Sequence, residues 1–579
     1  MKNRVQRLSG NIVDLHARRI YPGTVEWSRG RIVRLTAEPG RRHTRFIAPG
    51  FVDAHIHIES SMLPPAEFAR WSVVHGTVAT VSDPHEIANV LGVAGVDYMV
   101  RDGRRTPFKF NFGAPSCVPA TTFETAGADL DARAVGRLLA RKEIKYLSEV
   151  MNFPGVLGRD PTLMAMIATA RKLGKAVDGH APGLRGQQAA RYAAAGITTD
   201  HECFTLPEAL DKLKARMKIL IREGSAARNF AALAPLLKTH PDRCMFSCDD
   251  LHPDLLMVRH LDEHVRRAIR GGADRFDVLR CASVNPVRHY RLDVGLLRAG
   301  DPADFIVFEG WKDLKVRRTY LCGELVARDG RSLLPRQPSR TPNNFKAKLR
   351  REGDFICRAG SPDPAAQALS RANKGGIRRF DGLKAPSLSR GGPALQLNVI
   401  EAIGGQLITR HLRESPRVVG GAVVADPKRD ILKIAVVNRY AAKAPVAVGF
   451  IKGFGLRSGA LASSVAHDSH NVVAVGADDT SLCAAVNLVI KSRGGISVVG
   501  RGKRAVLPLP IAGLMSDRDG RAVARRYTAL DAQAKRLGSK LDAPFMTLSF
   551  MALLVIPDLK LSDRGLFSAT KWGFVPVAG

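Results

Sequence analysis

Two histidines one residue apart, His55 and His57, close the apolar run Ile47-Ala48-Pro49-Gly50-Phe51-Val52-Asp53-Ala54-His55-Ile56-His57-Ile58. On a strand, the side-chain period of two sends both imidazoles to one face, and Asp53 with them. Neutral imidazoles side by side at a strand end are a ready pair of metal ligands. Five later segments bring more of the same chemistry: Ser82-Asp83-Pro84-His85-Glu86, Ser148-Glu149-Val150-Met151, Asp178-Gly179-His180, Asp200-His201-Glu202 and Ser247-Cys248-Asp249-Asp250. Taken singly, each has an ordinary explanation: a helix cap for Asp83, a satisfied buried histidine for His180, a turn for Asp250. Together they offer His55, His57, Glu149, His180, His201 and Asp249, more than one catalytic metal requires. Glu149 could bridge two cations, with His55, His57 and Asp249 on one side and His180 and His201 on the other. Mixed nitrogen and oxygen ligands suit Zn²⁺, Mn²⁺ or Fe²⁺ and do not choose among them. Two metals roughly 3.5–4 Å apart turn water into a nucleophile at neutral pH. Asp249 would then bind metal and shuttle a proton, and Glu202, beside a ligand but not needed as one, is a candidate general acid/base.

Such residues act together only if six distant segments meet at one rim. From residue 46 to about 285 the chain alternates short apolar runs with helical stretches. The pattern predicts strands at 51–57, 78–82, 108–112, 146–150, 176–178, 198–201, 218–221 and 244–247. Helices are predicted at 86–101, 134–142, 162–173, 186–195, 207–215 and 227–237. Eight such units are the arithmetic of a closed parallel (β/α)8 barrel of the TIM type, whose strand carboxyl ends share one mouth. An open doubly wound sheet would want a Gly-rich phosphate loop after its first strand, and none stands there.

The flanks read differently. Residues 1–47 hold short strands (11–15, 23–27, 31–35), too few to fold alone, and 291–326 return to strands at 300–308 and 320–326. The two stretches are predicted to form one small β-sandwich beside the 48–290 barrel. Residues 327–392, rich in Pro, Ser, Gly and Arg, read as a connector with one or two short helices. Residues 393–579 predict a separate α+β domain, with strands at 431–437, 446–451, 471–475 and 495–499 and helices at 480–491 and 518–537. The expected class is thus α/β, a barrel with a small β domain from both flanks and a C-terminal α+β domain.

Composition bounds the function. The 579 residues, 45% hydrophobic and 25% charged, describe a globular protein, and no run of about 18 apolar residues exists to span a membrane. Met1-Lys2-Asn3-Arg4-Val5-Gln6-Arg7 lacks the apolar core of a signal peptide. A cytoplasmic location is expected, with the eight scattered cysteines, Cys244 and Cys248 among them, reduced. The net charge of +34 would draw polyanions. A basic nucleic-acid-binding protein with an inactive barrel is therefore the competing class. Against it stand the complete ligand set, an aromatic content of 6% and the lack of a short nucleic-acid motif.

Longer stretches resemble the amidohydrolase superfamily and, within it, the adenine deaminase family. They include His55-Ile56-His57-Ile58-Glu59-Ser60-Ser61-Met62, Ser82-Asp83-Pro84-His85-Glu86-Ile87-Ala88-Asn89-Val90 and Glu149-Val150-Met151-Asn152-Phe153-Pro154-Gly155-Val156. Gly179-His180-Ala181-Pro182-Gly183, Asp200-His201-Glu202-Cys203 and Arg222-Glu223-Gly224-Ser225-Ala226-Ala227-Arg228-Asn229 continue the likeness. So do Ser463-Ser464-Val465-Ala466-His467-Asp468-Ser469-His470-Asn471 and Leu507-Pro508-Leu509-Pro510-Ile511-Ala512-Gly513-Leu514-Met515-Ser516 near the C-terminus. The resemblance covers all but the connector and the extreme termini. It implies hydrolysis of adenine to hypoxanthine and ammonia, a purine-salvage reaction, at a Mn²⁺- or Fe²⁺-type dinuclear centre. It also implies that Glu149 takes the bridging place a modified lysine fills in many relatives. Asp83, His85, Glu86, Arg222 and Ser225 are candidates to support the ligands or touch substrate; His467, Asp468 and His470 suit either chemistry or a structural turn. Val437-Asn438-Arg439-Tyr440-Ala441-Ala442-Lys443 departs from the family's pattern, which follows Val-Asn-Arg with histidines and glycines. An N6-substituted adenine or another aminated heterocycle is the alternative substrate. The partners expected are a small purine base and further copies of the chain, with no membrane and no specific nucleic acid.

Overall fold

A computed structural model describes residues 5–358 and 395–579. Its centre is a ring of eight parallel strands: Phe51–Ile56, Thr77–Ser82, Lys109–Ala114, Ile144–Val150, Ala176–Gly179, Thr199–Asp200, Lys218–Arg222 and Cys244–Ser247. The first five pair in sequence, and so do the last three. Two further seams close the ring. Thr198 N donates to Val177 O (2.9 Å), joining fifth strand to sixth; Asp249 N donates to His55 O (3.0 Å) and His57 N to Asp249 O (3.2 Å), joining eighth to first. The first two strands are buried along their whole length, as parallel strands under a layer of helices must be. All eight strands start and stop within two residues of their predicted limits.

Two predicted helices are broken. The stretch 86–101 is two helices, His85–Leu91 and Val93–Gly103, hinged at Gly92 with φ 63° and ψ −144°. Only glycine adopts that conformation cheaply, and hydrophobic periodicity does not register it. The hinge leaves His85 and Glu86 in the first turn of a short helix at the barrel mouth. The stretch 227–237 is likewise two turns, Phe230–Leu233 and Leu236–Thr239, with Pro235 between them.

The flanking strands pair as predicted, but into one sheet and not two. Gln6–Asp14, Arg19–Ser28, Arg31–Ala37 and Arg45–Pro49 join Phe305–Glu309, Lys315–Leu321, Glu324–Arg328 and Arg331–Ser332 in a single eight-stranded sheet. The join is Arg45–Pro49 antiparallel to Phe305–Glu309. The sheet curls until Trp27 packs edge-on against Phe305 and Tyr320, at 5.3 and 5.6 Å, so one continuous sheet supplies what a sandwich would take from two. It also runs to Ser332, past the expected boundary at 326.

The part of the connector within the described residues holds no α-helix; residues 333–351 form neither helix nor strand and lead into a 3-10 turn at Glu352–Phe355. This strap is sewn to both neighbours. Asn344 Nδ2 donates to Val90 O of the barrel (3.2 Å), and Asn343 Nδ2 to Arg493 O of the C-terminal domain (2.7 Å). Arg439, fully buried, donates to Asn343 Oδ1 (2.9 Å), Asn344 O (3.3 Å), His470 O (3.3 Å) and Ala512 O (2.8 Å). The remainder of the predicted connector, 359–392, lies outside the described residues. The C-terminal domain is an eight-stranded, mainly antiparallel sheet with helix Asp479–Lys491 on one face and Gly520–Arg536 against the barrel. Among the described residues no helix is long and apolar enough to cross a membrane.

Candidate active site

The donors on barrel strands one, four, five, six and eight converge. His55 Nε2 and His57 Nε2 are 3.2 Å apart, and lie 3.4 and 3.2 Å from Asp249 Oδ1. Glu149 faces two ways: Oε1 is 3.2 Å from His57 Nε2, while Oε2 is 2.6 Å from His180 Nδ1 and 3.2 Å from His201 Nε2. All six residues are at most 5% exposed. Imidazole lone pairs aimed at one another at such distances repel unless a proton or cation lies between them. Metal–nitrogen bonds of about 2.0–2.1 Å set tetrahedral donors about 3.3 Å apart, which is the spacing seen. The donor set therefore fits divalent cations in both number and distance.

Neighbouring groups hold these donors in place. Asp53 Oδ1 accepts from His55 N (3.3 Å) and Cys248 N (3.1 Å), tying the first strand to the eighth. The Tyr192 hydroxyl accepts from His180 N (3.1 Å) and donates to Val150 O (2.8 Å). Asp200 accepts from Ala181 N and Glu202 N and pairs with buried Lys212 at 3.1 Å, fixing the turns after strands five and six. Asn229 accepts from Arg222 N and donates to His201 O.

The charges are set by these contacts. Burial alone would raise the Glu149 carboxyl, but His180 and His201 outweigh it and hold it well below the usual range. Burial would likewise lower His180, yet Glu202 and Glu149 lift it to about 9. Arg222, 1% exposed, donates to both Glu202 (2.5 and 3.1 Å) and Asp249. It overcomes the burial of both carboxylates and keeps them ionised.

Asp83 and His85 stand beside this group: Asp83 Oδ2 is 3.1 Å from His85 Nδ1, itself 3.6 Å from Glu149 Oε1. Ser225 accepts from His252 N (2.8 Å), holding the loop after strand eight, and does not line the cavity. That cavity is narrow in this structure. Its floor is the donor cluster. Its opposite wall comes from the C-terminal domain: Leu407, His467, Asp468, Phe550 and Leu553.

Known proteins divide along the same line. Residues 46–326 match the profile of the amidohydrolase family, and residues 406–572 that of the adenine deaminase C-terminal domain. Over its whole length the chain is 55% identical to an adenine deaminase of Salinibacter ruber, covering 98% of each chain. It is 52% identical to one from Sulfurovum sp. strain NBC37-1, over 98% of this chain and 99% of the other. It is 49% identical to one from Methanosarcina acetivorans, over 99% of each. The chain belongs to the adenine deaminase family. It is a hydrolase of the amidohydrolase kind, a group that uses divalent metal ions, and its His/Asp/Glu cluster is of the type that holds them.

The two matched regions meet at Glu86. Its carboxylate accepts hydrogen bonds from His467 Nδ1 and His470 Nε2. Ala466 N donates to His470 Nδ1 (3.1 Å), which leaves the proton of that imidazole on Nε2, facing Glu86. Burial would raise Glu86, but His467 and His470 hold it well below the usual carboxylate range. Sequence reasoning named His467, Asp468 and His470 without a role, and missed Leu407, Phe550 and Leu553 entirely. Three apolar residues on separate elements carry no spacing signal; only the fold reveals that they line one wall.

Proposed function

We propose that this chain hydrolyses adenine to hypoxanthine and ammonia with two divalent cations at the barrel mouth. The observation that carries the reading is Glu149, whose two oxygens face separate groups of imidazoles, in a chain like adenine deaminases from end to end. His55, His57 and Asp249 would hold one cation and His180 and His201 the other, with Glu149 shared between them. Mn²⁺ or Fe²⁺ suits these ligands, as does Zn²⁺. Cations bound there would supply the Lewis acidity that makes water nucleophilic at neutral pH.

The remaining steps fall to side chains of this protein. The attacking water gives its oxygen to carbon six and its two protons to two nitrogens of the base. Glu202, held as a carboxylate by Arg222, takes the first proton and delivers it to ring nitrogen one, which makes carbon six electrophilic. Asp249 takes the second and delivers it to the amino group, which leaves as ammonia. Arg222 touches both carboxylates and so keeps the two proton carriers at a fixed separation. That Cys244 and Cys248 are buried free thiols supports a cytoplasmic setting.

The test is a product assay. Protein loaded with Mn²⁺ or Fe²⁺ should convert adenine to hypoxanthine with one equivalent of ammonia, and the double change His55→Ala, His57→Ala should lose both cations and turnover. Loaded enzyme that turns over neither adenine nor N6-substituted adenines would end the deaminase reading.

A further inference from the structure

The C-terminal wall contains an acidic group the reaction does not use. Asp468 is 2% exposed and lines the cavity. Its Oδ2 is buried with no hydrogen-bond partner among the described residues, and its Oδ1 lies 3.7 Å from His85 Nε2. Buried polar atoms are nearly always hydrogen-bonded. An orphaned carboxylate oxygen on a cavity wall therefore calls for a donor from whatever fills the cavity. Asp250, the other acidic residue on this side, is partly engaged already: its Oδ1 accepts from Ser60 Oγ.

The mounting of Asp468 suits recognition. It sits in the turn 466–470, flanked by His467 and His470, both of which donate to Glu86. His467 N donates to Ser549 O (2.9 Å) and His470 N to Ala466 O (2.7 Å), while the His467 ring stacks on Phe550 at 4.5 Å. Both shoulders of the turn are fastened, so the carboxylate is presented on a rigid support.

Its position then decides which part of a base it meets. Glu202 lies against His180 and His201, 3.6 Å from each. Asp468 lies against His85, on the side of Glu149 Oε1. The two acids thus flank Glu149 from opposite sides. A purine with carbon six over Glu149 and ring nitrogen one toward Glu202 turns its five-membered ring toward Asp468. In the free base that ring carries an N–H. In a nucleoside, or in 9-methyladenine, the ring carries none.

We infer that Asp468 accepts the five-membered-ring N–H of the free base and so selects it over N9-substituted purines; this rests on the deaminase reading above. The experiment compares adenine with 9-methyladenine on the full-length, metal-loaded wild type, Asp468→Asn and Asp468→Ala. Wild type should prefer adenine strongly. Each variant should lose roughly 10- to 100-fold in kcat/KM for adenine, the size of a hydrogen bond to a charged group. Most of that loss should appear in KM, with little change for 9-methyladenine, so that the preference collapses while metal content stays at the wild-type level. If both substrates slow in parallel, the role of Asp468 is structural and the inference fails. It also fails if wild type handles the two bases equally. A loaded wild type that ignores adenine overturns the underlying reading instead, and that result is visible before any variant is made.

Discussion

Arg222 is a full guanidinium buried between two carboxylates with different tasks. Glu202 would carry one proton; Asp249 would carry another and hold a cation besides. Losing a general acid/base costs roughly 10²–10⁴-fold, so Glu202→Gln should fall within that range and Asp249→Asn below it. Both should reduce kcat more than they raise KM, because the interactions arise in the transition state; equal losses in steady-state assays would contradict the double role of Asp249. A second residue-scale test concerns Lys560. It is fully buried, donates among the described residues only to the carbonyls of Leu407 (2.7 Å) and Phe550 (3.0 Å), and burial lowers it to about 7. A free lysine titrates near about 10.4, so between pH 7 and that value the unfolded chain binds more protons than the folded one. Stability therefore gains from Lys560 as pH rises through this window, and shows no such slope below it. Lys560→Met should remove the gain, read as the wild-type-minus-variant difference in urea unfolding at pH 7, 8 and 9. Parallel curves would sink the idea. At this scale the candidate donors could be grouped from the sequence because each falls at or just past the carboxyl end of a barrel strand, with His55 and His57 two residues apart. Asp468 was visible as a polar residue but not as a cavity wall, because the barrel residues it faces across the cavity lie more than 200 positions earlier.

At the scale of elements, the hinge at Gly92 decides where Glu86 points. A Cβ there would meet Ala128 Cβ at 3.1 Å, and the backbone angles are those of glycine. Gly92→Ala should cost roughly 1–3 kcal/mol, measured by denaturant unfolding. It should also impair activity, since Glu86 anchors His467 and His470. A neutral result would mean the hinge relaxes into the single helix that periodicity predicts. The barrel strands were readable from composition because their two buried faces demand apolar runs. Several C-terminal strands were not: Ala460–Ser463 has only four residues, and Thr409–Glu414 carries a single large apolar side chain, Leu412, on a half-exposed strand. The segment 333–351 read as a connector, but its tethering to both neighbours was not legible for another reason. Its bonds run from asparagine side chains and Arg439 to backbone carbonyls, which no spacing rule anticipates.

For the molecule as a whole, the charge of +34 and the buried site are separate matters. Adenine is uncharged, so the surface field should not steer it. Raising ionic strength from roughly 50 to 500 mM, which shortens the screening length several-fold, should change kcat/KM by less than about twofold. A steep salt dependence would show that the basic surface takes part in substrate capture. The closed barrel could be counted from the sequence, and so could the pairing of its flanks; that the last domain seals the active site could not, because a domain interface leaves no local pattern. That seal has a consequence in time. Every donor assigned to the cations lies between residues 55 and 249, while the turn that closes over them is anchored at His467, 218 residues after Asp249 (467 − 249). At roughly 5–20 residues per second, the ribosome finishes the cation-holding half on the order of ten seconds or more before it makes the lid. The growing chain thus passes through a stage in which metal has open access and substrate has no pocket, so metal can load before the wall that shuts it in exists.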